Sequence, residues 1–106
     1  MRVYVAGPMR GIPLFNFPAF DHAAKALRDQ GHEVFSPAER DREDGFDETI
    51  VREVTNAEYR AFLKKDLPIV LDCEAMYMLR GWSQSTGASL ERHTGRAVGN
   101  SLWYQP

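Results

Sequence analysis

Arg2-Val3-Tyr4-Val5-Ala6-Gly7-Pro8-Met9-Arg10-Gly11 opens the chain with β-branched and aromatic residues cut off by a glycine-proline pair. Val3 to Ala6 reads as a short buried strand, and Gly7-Pro8 as the turn that ends it. The loop from Gly7 to Pro13 holds two glycines and two prolines around Arg10. Beyond it Asn16 is placed to cap a helix with Pro18 in its first turn. Phe20, Ala23, Ala24 and Leu27 keep the helical period, and Gly31 supplies the stop. His32 to Phe35 forms a second strand, closed by Ser36-Pro37. A strand, a glycine-bearing loop, a helix and a second strand are the opening of a parallel α/β sheet.

The pattern continues outward. Ala38 to Glu48 is dense in charge and without a clear period, so it reads as a loop, ordered on ligand binding or on assembly. Thr55-Asn56-Ala57-Glu58 has capping-box spacing and starts a helix carrying Tyr59, Phe62 and Leu63. Asp66-Leu67-Pro68 looks like a fresh cap with proline behind it, which predicts a separate helical piece to Asp72. Ala75 to Leu79 is a third strand, and Gly81-Trp82 turns the chain. Ser85 or Thr86 begins a last helix to about Val98, and Ser101 to Tyr104 closes as an edge strand. The prediction is one α/β domain over residues 1–106: a small doubly wound parallel sheet, flavodoxin-like or Rossmann-like, with helices on both faces. In such folds ligands bind beyond the carboxyl ends of the strands, where the loops after strands one and three meet.

Composition narrows the partners. The 106 residues suit a single domain, with 43% hydrophobic and 26% charged residues arguing for a globular fold. Net charge is -2, and no basic run exceeds Lys64-Lys65, so the stripe that a polymeric nucleic acid requires is missing. A small molecule is the expected ligand. No apolar run approaches the ~18 residues of a membrane span, and the start leads straight into the first strand, too short for a signal peptide. Cys73 is the one cysteine. It has no disulfide partner, reads as a buried thiol beside Leu71 and Ala75, and points to a cytoplasmic protein. His22, His32 and His93 share no ligand spacing with it, so neither metal nor other cofactor is expected.

Two segments carry unusual chemistry. Gly7 and Gly11 let backbone approach a ligand, and Arg10 between them can fork onto a phosphate or carboxylate. The same residues serve equally as a tight turn with a solvated arginine. No Gly-Lys-Ser/Thr follows, so this is not a Walker loop. In Ser85-Thr86-Gly87-Ala88-Ser89-Leu90-Glu91, a capping Ser85 and the free N–H groups of the first turn make an anion site. Gly87, Glu91 and Gly95 recur at i, i+4 and i+8, which sets a lone carboxylate between residues without side chains and clears a path to it. Neither Gly87, Ala88, Thr94 nor Gly95 is cationic, which weakens the reading of Glu91 as a surface ion pair; a glutamate facing water stays open beside one that faces a ligand. Tyr4, Asp66 and Glu74 have plain alternatives as core aromatic, helix cap and strand opener.

Taken together these segments resemble the nucleoside 2-deoxyribosyltransferase superfamily, including its 2'-deoxynucleoside 5'-phosphate N-hydrolase branch and short phage and bacterial relatives. Tyr4-Val5-Ala6-Gly7-Pro8-Met9-Arg10-Gly11 is similar to the hydrolases' tyrosine strand and glycine-arginine loop. Lys65-Asp66-Leu67 is similar to the helix bearing their second acid, and Ser85-x-Gly87-x-x-x-Glu91 to the motif ending in the nucleophile. Cys73-Glu74-Ala75 followed by Gly81-Trp82 is nearest the short branch. The resemblance implies that Glu91 attacks the anomeric carbon, Asp66 handles the proton of the leaving base and Tyr4 positions Glu91. It assigns Gly7, Arg10, Gly11, Ser85 and Gly87 to a nucleoside or nucleoside 5'-monophosphate. Ser85 stands where transferases of free nucleosides carry aspartate, which favours a phosphate; Pro8 replaces a phosphate-binding serine of the hydrolases. Hydrolysis, transfer to a second base and nucleotide binding without turnover all remain open. Relatives assemble as dimers or larger, so a homo-oligomer is expected, with Trp82, Trp103 and Tyr104 as interface candidates.

Overall fold

The computed structural model describes residues 1–106. Strands β1 (Arg2–Ala6), β2 (Glu33–Phe35), β3 (Ala75–Met78) and β4 (Ser101–Tyr104) form one sheet in the order β2-β1-β3-β4. Every pairing is parallel, with Val3 opposite Ala75 and Ala6 opposite Met78 in the central pair. Helices α1 (Phe17–Asp29), α2 (Pro37–Glu43), α3 (Asn56–Asp72) and α4 (Thr86–Ala97) occupy the connections. The doubly wound α/β architecture expected from the sequence is the one found.

Strand alternation builds the layers. Val3 and Val5 turn to one face and pack with Phe17, Phe20 and Leu27 of α1 and with Ala38 of α2. Tyr4 and Ala6 turn to the other face, where Met76 and Met78 of β3 meet Val70 of α3 and Ala88 of α4. Burying a side chain such as Phe17 or Phe20 stabilises the fold by about 1.5–3 kcal/mol. The interior strands therefore read as continuous apolar runs, as strands covered on both faces must. No helix is long and apolar enough to cross a membrane.

Four local expectations are corrected. The charge-dense stretch from Ala38 is not loop throughout, because Pro37–Glu43 forms α2. Ion pairs rather than an apolar period hold it: Arg42 pairs with Asp21 at 2.7 Å and Glu48 at 3.0 Å, and Arg28 with Glu39 at 2.6 Å. Second, α3 is one helix, not two pieces; Pro68 lies inside it and Asp66 caps nothing. The predicted capping box at Thr55 and Glu58 is present. Third, Asn16 stands at the helix start but its side chain does not cap α1. Leu14, Phe15 and Asn16 take left-handed φ angles of 55°, 51° and 61°, and the Asn16 amide instead donates to the Pro8 carbonyl at 2.9 Å. Cys73 is half-buried rather than buried, and its surroundings push the thiol up to about 11.

Candidate active site

The strand order reverses direction between β1 and β3, and there parallel sheets open a crevice beyond their carboxyl ends. The Leu79 N–H closes that edge by donating to the Ala6 carbonyl at 2.8 Å. Gly7 is forced by this closeness, since a Cβ there would lie 2.7 Å from the Leu79 Cβ. Above it opens a cavity of about 360 Å³, lined from the β1 loop by Gly7, Pro8 and Arg10, from α3 by Tyr59 and Asp66, and from α4 by Ser85, Gly87 and Glu91. Of the residues expected to form a site, only Tyr4 and Gly11 lie outside this lining. Tyr4 reaches it from beneath: its hydroxyl donates to Glu91 Oε2, so β1 fixes the carboxylate of α4. Gly11 is exposed and serves the turn, with φ at 76°. Glu74 lies at the other end of β3, where its carboxylate accepts the Arg2 backbone N–H at 3.0 Å.

The α4 glycines also have packing work that their spacing did not show. A Cβ at Gly95 would meet Met76 at 2.9 Å, so this glycine lets the helix settle onto β3. A Cβ at Gly87 would collide with the Tyr59 hydroxyl, so that glycine admits Tyr59 to the cavity wall. The Tyr59 hydroxyl is buried without a hydrogen-bond partner, and the Arg10 guanidinium stacks 3.8 Å above its ring. Ser85 caps α4 as predicted, its Oγ accepting the Ala88 N–H at 3.1 Å. The first-turn N–H groups beside it remain helix-terminal donors at the cavity.

A third acid, Asp41, joins Glu91 and Asp66 in the lining. Sequence reading missed it because α2 was not recognised; the one available signal was proline in the first turn behind Ser36, with Ala38 and Asp41 three apart. All three acids are at least nine-tenths buried, and none forms an ion pair. Burial disfavours charge, so each holds its proton to higher pH than usual: Glu91 to about 8, Asp66 to about 7 and Asp41 to about 6. The Tyr4 hydrogen bond pulls Glu91 the other way, favouring its carboxylate, while Asp66 and then Asp41 add repulsion. Tyr4 itself is pushed upward, first by burial and then by the Glu91 charge, and stays a hydrogen-bond donor. Phe15, Phe17, Phe46 and Phe62 supply an aromatic wall. No group of His, Cys, Asp and Glu side chains is gathered to hold a metal ion.

The geometry can hold a flat apolar group against aromatic rings, present a positioned carboxylate to an electron-poor carbon and keep a second acid protonated beside it. Among curated proteins none matches the chain. A solved 2-deoxyribosyltransferase from the psychrotolerant bacterium Bacillus psychrosaccharolyticus superposes with a TM-score of 0.67 at 22% identity, over 98% of this chain and 71% of that one. That likeness is one of fold, and it is the fold of the superfamily the motifs resemble. The model of the family described as Domain of unknown function (DUF4406) matches residues 1–104, and the chain belongs to that family.

Proposed function

We propose that this protein is an N-glycosidase that cleaves the base–sugar bond of a (deoxy)nucleoside 5'-monophosphate through a glycosyl ester on Glu91. One observation carries the reading: a buried carboxylate, held by the Tyr4 hydroxyl, shares an aromatic cavity with two more buried acids and no paired cation. The cation of the lining, Arg10, stacks on Tyr59 and pairs with none of the three acids, so an oxocarbenium-like sugar supplies the positive charge they lack in the transition state. Glu91 attacks the anomeric carbon as the carbon–nitrogen bond breaks, and the bonding pair leaves with the base. Glu91 and Asp66 repel each other's charge and share one proton; in the reacting state the Tyr4 hydrogen bond holds Glu91 ionised, the proton lies on Asp66, and Asp66 delivers it to that base. Water then attacks the glycosyl ester, gives its proton back to Asp66 and releases Glu91. Free base and a sugar 5-phosphate are the products.

The 5'-phosphate belongs at the α4 N-terminus, where Ser85 and the first-turn N–H groups lie beside Arg10. Transfer to a second base, the reaction named for the structural neighbour, needs only that a base replace water against the same ester. The shared intermediate makes one experiment decisive for both. Glu91→Gln keeps the Tyr4 hydrogen bond and removes the attacking charge, so base release should fall by several orders of magnitude. A 2'-fluoro nucleotide, whose ester resolves slowly, should leave one sugar-phosphate mass increment on the wild-type peptide carrying Glu91 and none on the variant. Base release by Glu91→Gln near the wild-type rate would end the proposal.

A further inference from the structure

Asp41 is the one acid of the cavity to which the proposed reaction gives no task. It is 9% exposed, lines the cavity and has no side-chain hydrogen bond or ion pair, while its near cations Arg40 and Lys65 are both paired with Asp44. A buried carboxyl without a partner is costly to folding unless something else uses it. Position says what that is. Asp41 comes to the cavity on α2, which follows β2, and Glu91 on α4, which follows β3, with β1 between those two strands; Asp41 therefore enters from the side opposite the sugar-attacking carboxylate. Past the glycosidic nitrogen in that direction comes the far edge of the base. The backbone agrees: the Phe46 N–H donates to the Asp41 carbonyl at 2.9 Å, and Phe46 packs with Phe15 at 5.0 Å and Phe62 at 6.2 Å. Carboxyl and aromatic wall are thus tied together, the pairing by which pockets stack a base and read its edge.

We propose that Asp41 is a specificity-determining residue that reads the base, its carboxylate accepting two parallel hydrogen bonds from adjacent donors on the base's far edge. An ionised carboxylate offers acceptors only. The matching edge is that of a guanine-type base, with a ring N–H beside an exocyclic amine. Adenine and cytosine set a ring acceptor next to their amine, uracil and thymine set carbonyls beside the N–H, and hypoxanthine lacks the second donor. Asp41, held to about 6 by burial against the pull of Lys65 and Arg40, is mainly ionised at neutral pH. The inference rests on the proposed function for the direction of the sugar, and its test reads binding apart from turnover.

In the Glu91→Gln background, calorimetric titration at pH 7.5 with dGMP, dIMP and dAMP compares the three edges without cleavage. dGMP should bind at least tenfold tighter than dIMP, which lacks only the 2-amine, and than dAMP, whose ring nitrogen accepts. Adding Asp41→Asn replaces one acceptor by a donor, so the dGMP advantage should vanish and dAMP should gain. Because the Asp41 side chain has no protein partner, this change leaves folding intact, which circular dichroism checks; Asp41→Ala should also lose the dGMP preference without favouring dAMP. Equal affinity for dGMP and dIMP, an unchanged order in Asp41→Asn, or no binding by any of the three overturns the inference. Base release by the wild type is measured beside it. Selective dGMP binding without release would remove the glycosidase and leave Asp41 as the reader, whereas release indifferent to the base would do the reverse.

Discussion

Arg10 enters the cavity stacked on Tyr59, 3.8 Å above the ring, rather than as a free cation. Stacking holds the planar guanidinium at the rim with its edge donors unspent, because a π face occupies none of its N–H groups. A phosphate at the α4 N-terminus can then be met from two sides. Arg10→Ala should therefore weaken use of 5'-monophosphates by about 1.5–3 kcal/mol, roughly ten- to a hundredfold, against a small effect on nucleosides. Parallel kcat/KM measurements on a nucleoside and its monophosphate check this; equal losses would remove Arg10 from the phosphate. At this scale the sequence was legible where a pattern isolates a residue. Glu91 stood out because its helical neighbours carry no charge, and the structure buries it under the Tyr4 hydroxyl. Gly87 stood out too and lines the cavity, but its missing side chain also makes room for Tyr59, a contact between α3 and α4 that spacing along α4 cannot reveal.

The elements were legible in proportion to how far apolar burial governs them. β1 and β3 lie between two helical layers, and α1 buries Phe17, Phe20, Ala23, Ala24 and Leu27 along one stripe; each announced itself. α2 buries only Pro37, Ala38 and Asp41 and owes its order to arginine pairs with residues distant in sequence. No local pattern encodes such partners, and Asp41 was lost with the helix. Pro68 misled in the opposite sense, since a proline inside a helix removes one N–H but does not compel a break when neighbouring turns are packed. The segment before α1 is a third case, with three successive left-handed residues that each cost on the order of 1–2 kcal/mol outside glycine. Asn16 tolerates that conformation best of the three and ties Pro8 down through its amide. Asn16→Ala removes both advantages and should cost about 1–2 kcal/mol in denaturant unfolding. It should also raise KM more than it lowers kcat, because the loop carrying Pro8 and Arg10 loosens while Glu91 stays fixed by Tyr4. A stability loss with unchanged KM would confine Asn16 to folding.

Across the whole molecule, the three cavity acids set folding and function against each other. Glu91, Asp66 and Asp41 titrate near 8, 7 and 6 in the folded chain, whereas unfolded carboxyls titrate near 4. Between about pH 4 and pH 8 the folded state therefore binds more protons than the unfolded one. Stability rises with pH only where the unfolded state binds more, so here it must fall. The contribution of these acids is fully present below about pH 4 and is lost as pH climbs through their folded values. Catalysis requires the opposite, a charged Glu91, and the site exists because the rest of the core tolerates that cost. Glu91→Gln separates the two demands: glutamine fills the same space, still accepts from Tyr4 and cannot ionise. Its melting temperature should equal that of the wild type near pH 4 and exceed it at pH 8.5. The excess should correspond to at least about 1 kcal/mol, or roughly 4–8 °C for a chain of this size. Thermal unfolding of both proteins across that range gives the difference directly. A gap that opens with rising pH marks the buried charge, whereas a constant offset would mean altered packing, and coincident curves would mean that Glu91 ionises in the folded protein as easily as in water.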